Sequence, residues 1–222
     1  MAALVVFDLD GTLVDSRQDL AASTNDVLAG VGGRPLPVEE IVQMVGDGAR
    51  TLVQRALVRA GCAVDVDVAL AEFHRCYAVR LLETTRPYDG ITTLLDALSG
   101  PVSLAVLTNK PLDPTLRLLD HFGWTGIFGR VIGGDGPFPR KPDPAGLLDL
   151  ITWAGASPET TMMVGDSMVD VEVARAAGTH ICVAAYGFGA ARGDLTLRGD
   201  ELVARTAGDV QAHWSRVQGG KS

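Results

Sequence analysis

The stretch VVFDLDGTLVDS (residues 5–16) runs from bare apolar residues into three aspartates spread over eight positions. Its apolar half belongs to ALVVFD (3–8), a short continuous run of the kind that forms a strand buried on both faces. Comparable runs recur at VSLAVLT (102–108), GRVIGG (129–134), TTMMVGD (160–166) and HICVAAYG (180–187). Helical patterns lie between them. PLDPTLRLLDHFG (111–123) and SMVDVEVARAAG (167–178) stop at glycine, and DPAGLLDLITWAGA (143–156) opens on Asp and Pro. Strand and helix alternating at this interval predict an α/β fold, a parallel sheet with helices on both faces.

One block breaks the alternation. From about residue 17 to 82 there is no convincing buried strand, only amphipathic stretches such as DLAASTNDVLAGVG, VEEIVQMVGDGARTLVQRALVRAG and VDVALAEFHRCYAVRLLE. The simplest reading is a helical subdomain, 17–82, inserted after the first strand of a core made of 1–16 and 83–222. RPYDG (86–90) returns the chain to that core before the helix ITTLLDALSG, and the tail after about 200 reads as a weak helix.

The composition narrows the possible functions. Of 222 residues, 47% are hydrophobic and 21% charged, ordinary values for a globular chain. A net charge of −8 and a pI near 4.9 argue against a nucleic-acid partner, which calls for a basic face. They also require that an anionic substrate be met by a cation and a few local Lys or Arg residues. Cys62, Cys76 and Cys182 are far apart, as expected of reduced thiols in a cytoplasmic protein. The four histidines are scattered, which disfavours zinc. No apolar run is long enough to cross a membrane, and no signal peptide is recognisable.

Polar residues follow each core strand: Asp8 and Asp10 the first, Thr108 and Asn109 the second, Lys141 the third, Asp166 and Asp170 the fourth. In an open parallel sheet these carboxyl ends share one edge, where ligands bind. Four segments thus converge with four carboxylates, a hydroxyl, an amide and an ammonium, an inventory that suits Mg²⁺ and a phosphoryl group. Of the two crowded aspartates, one can attack phosphorus and its neighbour can protonate the leaving oxygen and later activate water. Gly11 and Thr12 supply a tight turn with backbone N–H groups facing the site. Plainer readings stand beside these. DLDGT can be an acidic turn, Asp166 or Ser167 a helix N-cap, and any of Lys110, Arg140 and Lys141 a solvated loop cation.

Taken in this order, DLDGTLVDS (8–16), LTNK (107–110), KPDP (141–144) and GDSMVD (165–170) strongly resemble the haloacid dehalogenase-like hydrolase superfamily across essentially the whole chain. The resemblance implies a Rossmann-like catalytic core and an α-helical cap formed by the inserted block. It implies Asp8 as nucleophile and metal ligand, and Asp10 as general acid/base and metal ligand through its backbone carbonyl. Thr108 and Lys141 would hold the phosphoryl group, with Gly11, Thr12 and Asn109 beside it. Asp166 would bind Mg²⁺, and Asp170 would orient the metal's waters.

Among relatives, haloacid dehalogenases lack the second aspartate, and phosphonate hydrolysis needs a cap lysine, whereas residues 17–82 contain none. VGDGARTLVQRAL (45–57) and RPYDGI (86–91) are similar to phosphoglycolate phosphatases, with Gly46 and Gly48 in a loop and Arg50 as the candidate for a substrate carboxylate. The plain alternative for Arg50 is an exposed helical arginine. A sugar-phosphate mutase, a pyrophosphatase and a non-catalytic phosphate-binding module remain as alternatives. The expected partner is a small phosphorylated metabolite, met by a monomer or homodimer. GFGAARG (187–193) has the wrong spacing and place for a dinucleotide loop, and the terminal GGKS (219–222) cannot precede a helix as a phosphate loop must.

Overall fold

The structure, a computed structural model, describes residues 2–189, 193, 195–199 and 201–219. The GGKS stretch from 220 on and residues 190–192 of GFGAARG lie outside the described residues. Two compact units divide the chain: Met1–Asp15 with Pro87–Ser222, and Ser16–Arg86.

The core unit opens with β1 (Leu4–Phe7) and reaches β2 (Val14–Asp15), where the chain leaves it. The helical unit holds α1 (Arg17–Gly30), α2 (Val38–Val42), α3 (Ala49–Ala60) and α4 (Val66–Arg80). After β3 (Arg86–Pro87) come α5 (Ile91–Leu98), β4 (Ser103–Leu107), α6 (Leu112–His121), β5 (Arg130–Ile132) and α7 (Ala145–Ala154). The core ends with β6 (Thr161–Gly165), α8 (Met168–Ala177), β7 (His180–Ala184), β8 (Leu202–Ala204) and α9 (Ala207–Gly219).

Six strands form one parallel sheet in the order β5-β4-β1-β6-β7-β8. β1 is wholly buried between β4 and β6, which is why it reads as an unbroken apolar run. Its side chains alternate between faces. Leu4 and Val6 join Ala105, Met163 and Val183 in a layer that Leu147, Leu150 and Ile151 of α7 and Val171 and Ala174 of α8 cover. Phe7 points to the other face, edge-on to Phe128 with centroids 6.3 Å apart.

Two expectations need correction. The tail is not helix alone: Leu202–Ala204 add a sixth strand parallel to β7 before α9 begins. Three residues, only Ala204 of them buried, leave no apolar run to read. The stretch 38–61 is not one helix either. It breaks between Val42 and Ala49, where Gly46 and Gly48 adopt φ of 124° and 91°, values closed to other residues.

The helical unit runs past residue 82 because its first turn grips its last residues. Asp19, 1% exposed, accepts bonds from the backbone N–H and hydroxyl of both Thr84 and Thr85. Burial pushes the Asp19 carboxyl up, but these donors outweigh it and hold the pKa below its ordinary 3.8. A depressed carboxylate stabilises the fold above the unfolded pKa and loses that contribution as pH falls through the folded value. Asp19→Ala is expected to lower stability by about 1–3 kcal/mol at pH 7 in urea unfolding, since it strands the buried donors of Thr85. The gap between variant and parent should narrow as the pH is taken below 3.8.

Candidate active site

The strand registers bring three loops to one edge. Phe7 stands level with Val106 of β4 and Val164 of β6, so Asp8, Thr108 and Asp166 emerge side by side where the chain order switches direction across β1. The Asp8 N–H donates to the Val164 carbonyl at 2.9 Å and holds the residue to the sheet. Beyond it the chain wraps around the Leu9 carbonyl, which accepts from the N–H groups of Thr12, Leu13 and Val14.

Asp8, Asp166 and Asp170 offer carboxylate oxygens within 4.8 Å of one another, all buried. The Lys141 ammonium bridges two of them, 2.9 Å from Asp8 and 2.6 Å from Asp170. The other Asp170 oxygen accepts from Ser167 N–H at 3.1 Å and Ser167 Oγ at 2.7 Å, so the residue also caps α8, with Ser167 at the N-cap position. Asp166 accepts from Gly189 N–H at 2.8 Å.

The opening pair is separated by its counter-ions. Asp10 turns to Lys110, whose Nζ lies 3.1 and 3.0 Å from its two oxygens. Asp8 is therefore crowded by Asp166 and Asp170 from the β6 loop, while Asp10 has an ammonium of its own. Thr108 is buried and its hydroxyl accepts from Lys110 N–H at 3.2 Å. Asn109 donates its amide to the Lys141 carbonyl at 3.0 Å, tying the β4 loop to the lysine's backbone. Thr12 is fully buried, and its Oγ1 has no hydrogen-bond partner among the described residues.

Close packing around the carboxylates depends on missing side chains. A Cβ on Gly11, whose φ is +87°, would sit 2.1 Å from Asp166 Oδ2, and one on Gly187 would sit 2.0 Å from the Gly11 carbonyl. Gly187 and Gly189, set aside at the sequence level with a failed dinucleotide pattern, press against the Asp166 loop. Tyr186 joins them through a 3.1 Å bond from its hydroxyl to the Thr12 carbonyl. Lys110, read as one of several bland cations, is 7% exposed, whereas Arg140 stays on the surface and donates to the Gly134 carbonyl. Arg50, in the helical unit, forms a two-pronged exposed ion pair with Asp67.

Burial drives the electrostatics. It lifts Asp8 to about 6 against the pull of Lys141, with Asp170 adding repulsion. It lifts Asp166 well above the ordinary value, with Asp170 and Asp8 reinforcing the rise. Burial alone would lower Lys141; Asp170 and Asp8 outweigh it and hold the ammonium protonated. Three carboxylates against one ammonium leave two surplus negative charges on an oxygen-only donor set. That is the charge and chemistry of a hard divalent cation's site.

Residues 5–184 match the family model described as haloacid dehalogenase-like hydrolase. The phosphoglycolate phosphatase of Pseudomonas putida is 42% identical over 83% of this chain and 70% of its own length. That of Agrobacterium fabrum is 36% identical over 85% and 82%. A crystal structure described as a predicted phosphoglycolate phosphatase from Haemophilus somnus superposes with a TM-score of 0.89 at 29% identity, covering 96% of this chain and 97% of that one.

Two outcomes follow from the geometry. A carboxyl whose folded pKa is raised opposes folding once ionised, so with Asp8 at about 6 chelator-treated protein should gain at least about 1 kcal/mol as pH falls from 8 to 5. Urea midpoints measure this, and both Asp8→Asn and added Mg²⁺ should reduce the gain. Gly187→Ala should weaken divalent-cation binding in titration calorimetry relative to the parent. Gly30→Ala, where a Cβ meets nothing within 4 Å, should leave it intact.

Proposed function

The chain belongs to the haloacid dehalogenase-like hydrolases, and from that premise we propose that it is a Mg²⁺-dependent phosphatase of small phosphate monoesters, with 2-phosphoglycolate as the favoured substrate. The observation that carries this reading is the buried Asp8–Asp166–Asp170 set bridged by Lys141 at the carboxyl edge of the sheet. The substrate rests on the names of the relatives, several about 40% identical over most of the chain.

Asp8 and Asp166 would hold Mg²⁺ through carboxylate oxygens and Asp10 through its backbone carbonyl, with Asp170 behind them. When bound, the cation neutralises the crowded carboxylates and the phosphoryl group. An Asp8 oxygen attacks phosphorus, the ester P–O bond breaks, and the leaving oxygen takes the proton carried by Asp10. Water then attacks the phosphorus of the aspartyl-phosphate and gives its proton to Asp10. The Asp8–phosphorus bond breaks, which restores the carboxylate and frees inorganic phosphate. Lys141 and Thr108 would steady the phosphoryl oxygens, and Lys141 already sits 2.9 Å from the attacking carboxylate. The Gly11 and Thr12 N–H groups, expected to face the site, donate instead to the Val14 and Leu9 carbonyls within the turn.

Arg50 enters this reading as the helical unit's candidate for the substrate carboxylate. Its pair with Asp67 is solvent-exposed, 49% and 71% on the two side chains, so exchanging one carboxylate for another costs little.

The test is inorganic phosphate release from 2-phosphoglycolate, pyrophosphate and hexose phosphates, with and without Mg²⁺. The expected result is Mg²⁺-dependent release led by 2-phosphoglycolate, with Asp8→Asn lowering kcat by at least about 10³-fold. Transfer of the phosphoryl group to a second sugar position, without free phosphate, overturns the hydrolase in favour of a mutase. Arg50→Ala should raise KM for 2-phosphoglycolate by about tenfold while leaving KM for an uncarboxylated ester unchanged.

A further inference from the structure

We propose that Lys110 is a positioning residue for the general acid/base: it holds the Asp10 carboxylate away from the acidic cluster and aims it at the leaving group. The inference rests on the phosphatase reading above and deepens it. No motif carried over from the family assigned this lysine a task, and its neighbours do.

The Nζ contacts both Asp10 oxygens, at 3.1 and 3.0 Å, across 100 residues of sequence. Both side chains are sequestered, at 4% and 13% exposure, so the pair is not a solvent-screened surface bridge. Lys110 is itself clamped at the β4 terminus, where its N–H donates to Thr108 Oγ1 and its carbonyl accepts from Gly134 N–H at 2.8 Å. The lysine head thus meets Asp10 from a backbone fixed at both of its polar groups.

Lys110 engages both oxygens of the carboxylate, so the contact fixes the plane of the group as well as its direction. Without that ammonium the Asp10 carboxylate loses the contact that holds both of its oxygens and leaves the proton-transfer position.

The test compares Lys110→Met and Lys110→Arg with the parent on two substrates, 2-phosphoglycolate and p-nitrophenyl phosphate. An aryl oxide leaves without protonation, whereas an alkoxide needs the acid. In single turnover, Lys110→Met should slow leaving-group release from 2-phosphoglycolate by about 30–100-fold and from the aryl ester by less than about threefold, whereas aspartyl-phosphate hydrolysis, which uses Asp10 as base, should slow alike for both. Lys110→Arg should recover at least part of the difference. A crystal structure of Lys110→Met supplies a readout that needs no activity. The Asp10 side chain should leave its position while Asp8, Asp166 and Asp170 keep theirs. Equal losses in leaving-group release from the two esters, or an Asp10 that has not moved, overturn the inference. A parent enzyme that releases no phosphate from any ester overturns the phosphatase reading instead, and the Asp10 displacement still decides whether Lys110 positions it.

Discussion

Lys141 is the group on which the site's existence depends. Burying a carboxylate costs several kcal/mol, and three of them within 4.8 Å of one another would not ionise together without a cation among them. The Lys141 ammonium reaches Asp8 from the β1 loop and Asp170 from α8 at once, while Asn109 from the β4 loop holds its backbone carbonyl. One lysine therefore ties together the loops after four strands. The remaining excess of negative charge is what gives the site its appetite for a divalent ion; burial first, and that excess second, is why the folded protein carries two carboxyls displaced upward from their ordinary range.

The second requirement is steric. Carboxylates can gather only if the chain beside them is thin, and glycine provides that on every side. Gly11 faces Asp166, Gly165 faces Asp170, and Gly187 and Gly189 close over the Asp166 loop from the segment after β7. The energy that could have come from packing side chains at these positions is forgone. What is obtained is an oxygen-lined site with no apolar wall between its charges. Function here is set by where bulk is omitted as much as by which groups are present.

Most of the sheet and most of the site could be read from residue order, for one reason: both rest on local pattern. A central parallel strand is buried on both faces and must be apolar throughout, and its first polar residue then falls at the ligand edge. Asp8, Thr108 and Asp166 were legible in that way. Lys110 was not, because a lysine after a strand looks the same whether it faces water or a partner 100 residues away. Asp19 was equally silent, since an aspartate in a first helical turn is ordinary and its four donors lie some 65 residues on. Arg50 could be placed on a helix but not with Asp67, 17 residues later. β8 escaped because a three-residue edge strand with one buried side chain has no periodicity to detect. What the sequence conceals is long-range partnership between polar groups, which only the closed fold defines.

The position of β1 has a consequence for how the chain is made. The first strand to be synthesised is central in the sheet, yet its two neighbours pair with Leu4 through Ser103 and Thr161. On a ribosome, where synthesis runs at about 5–20 residues per second, β1 stays a bare apolar segment until both have emerged. Residues 16–86, by contrast, hold their own contacts and can consolidate while the rest is still being translated. The insertion that interrupts the core thus fills the interval during which β1 waits for its neighbours.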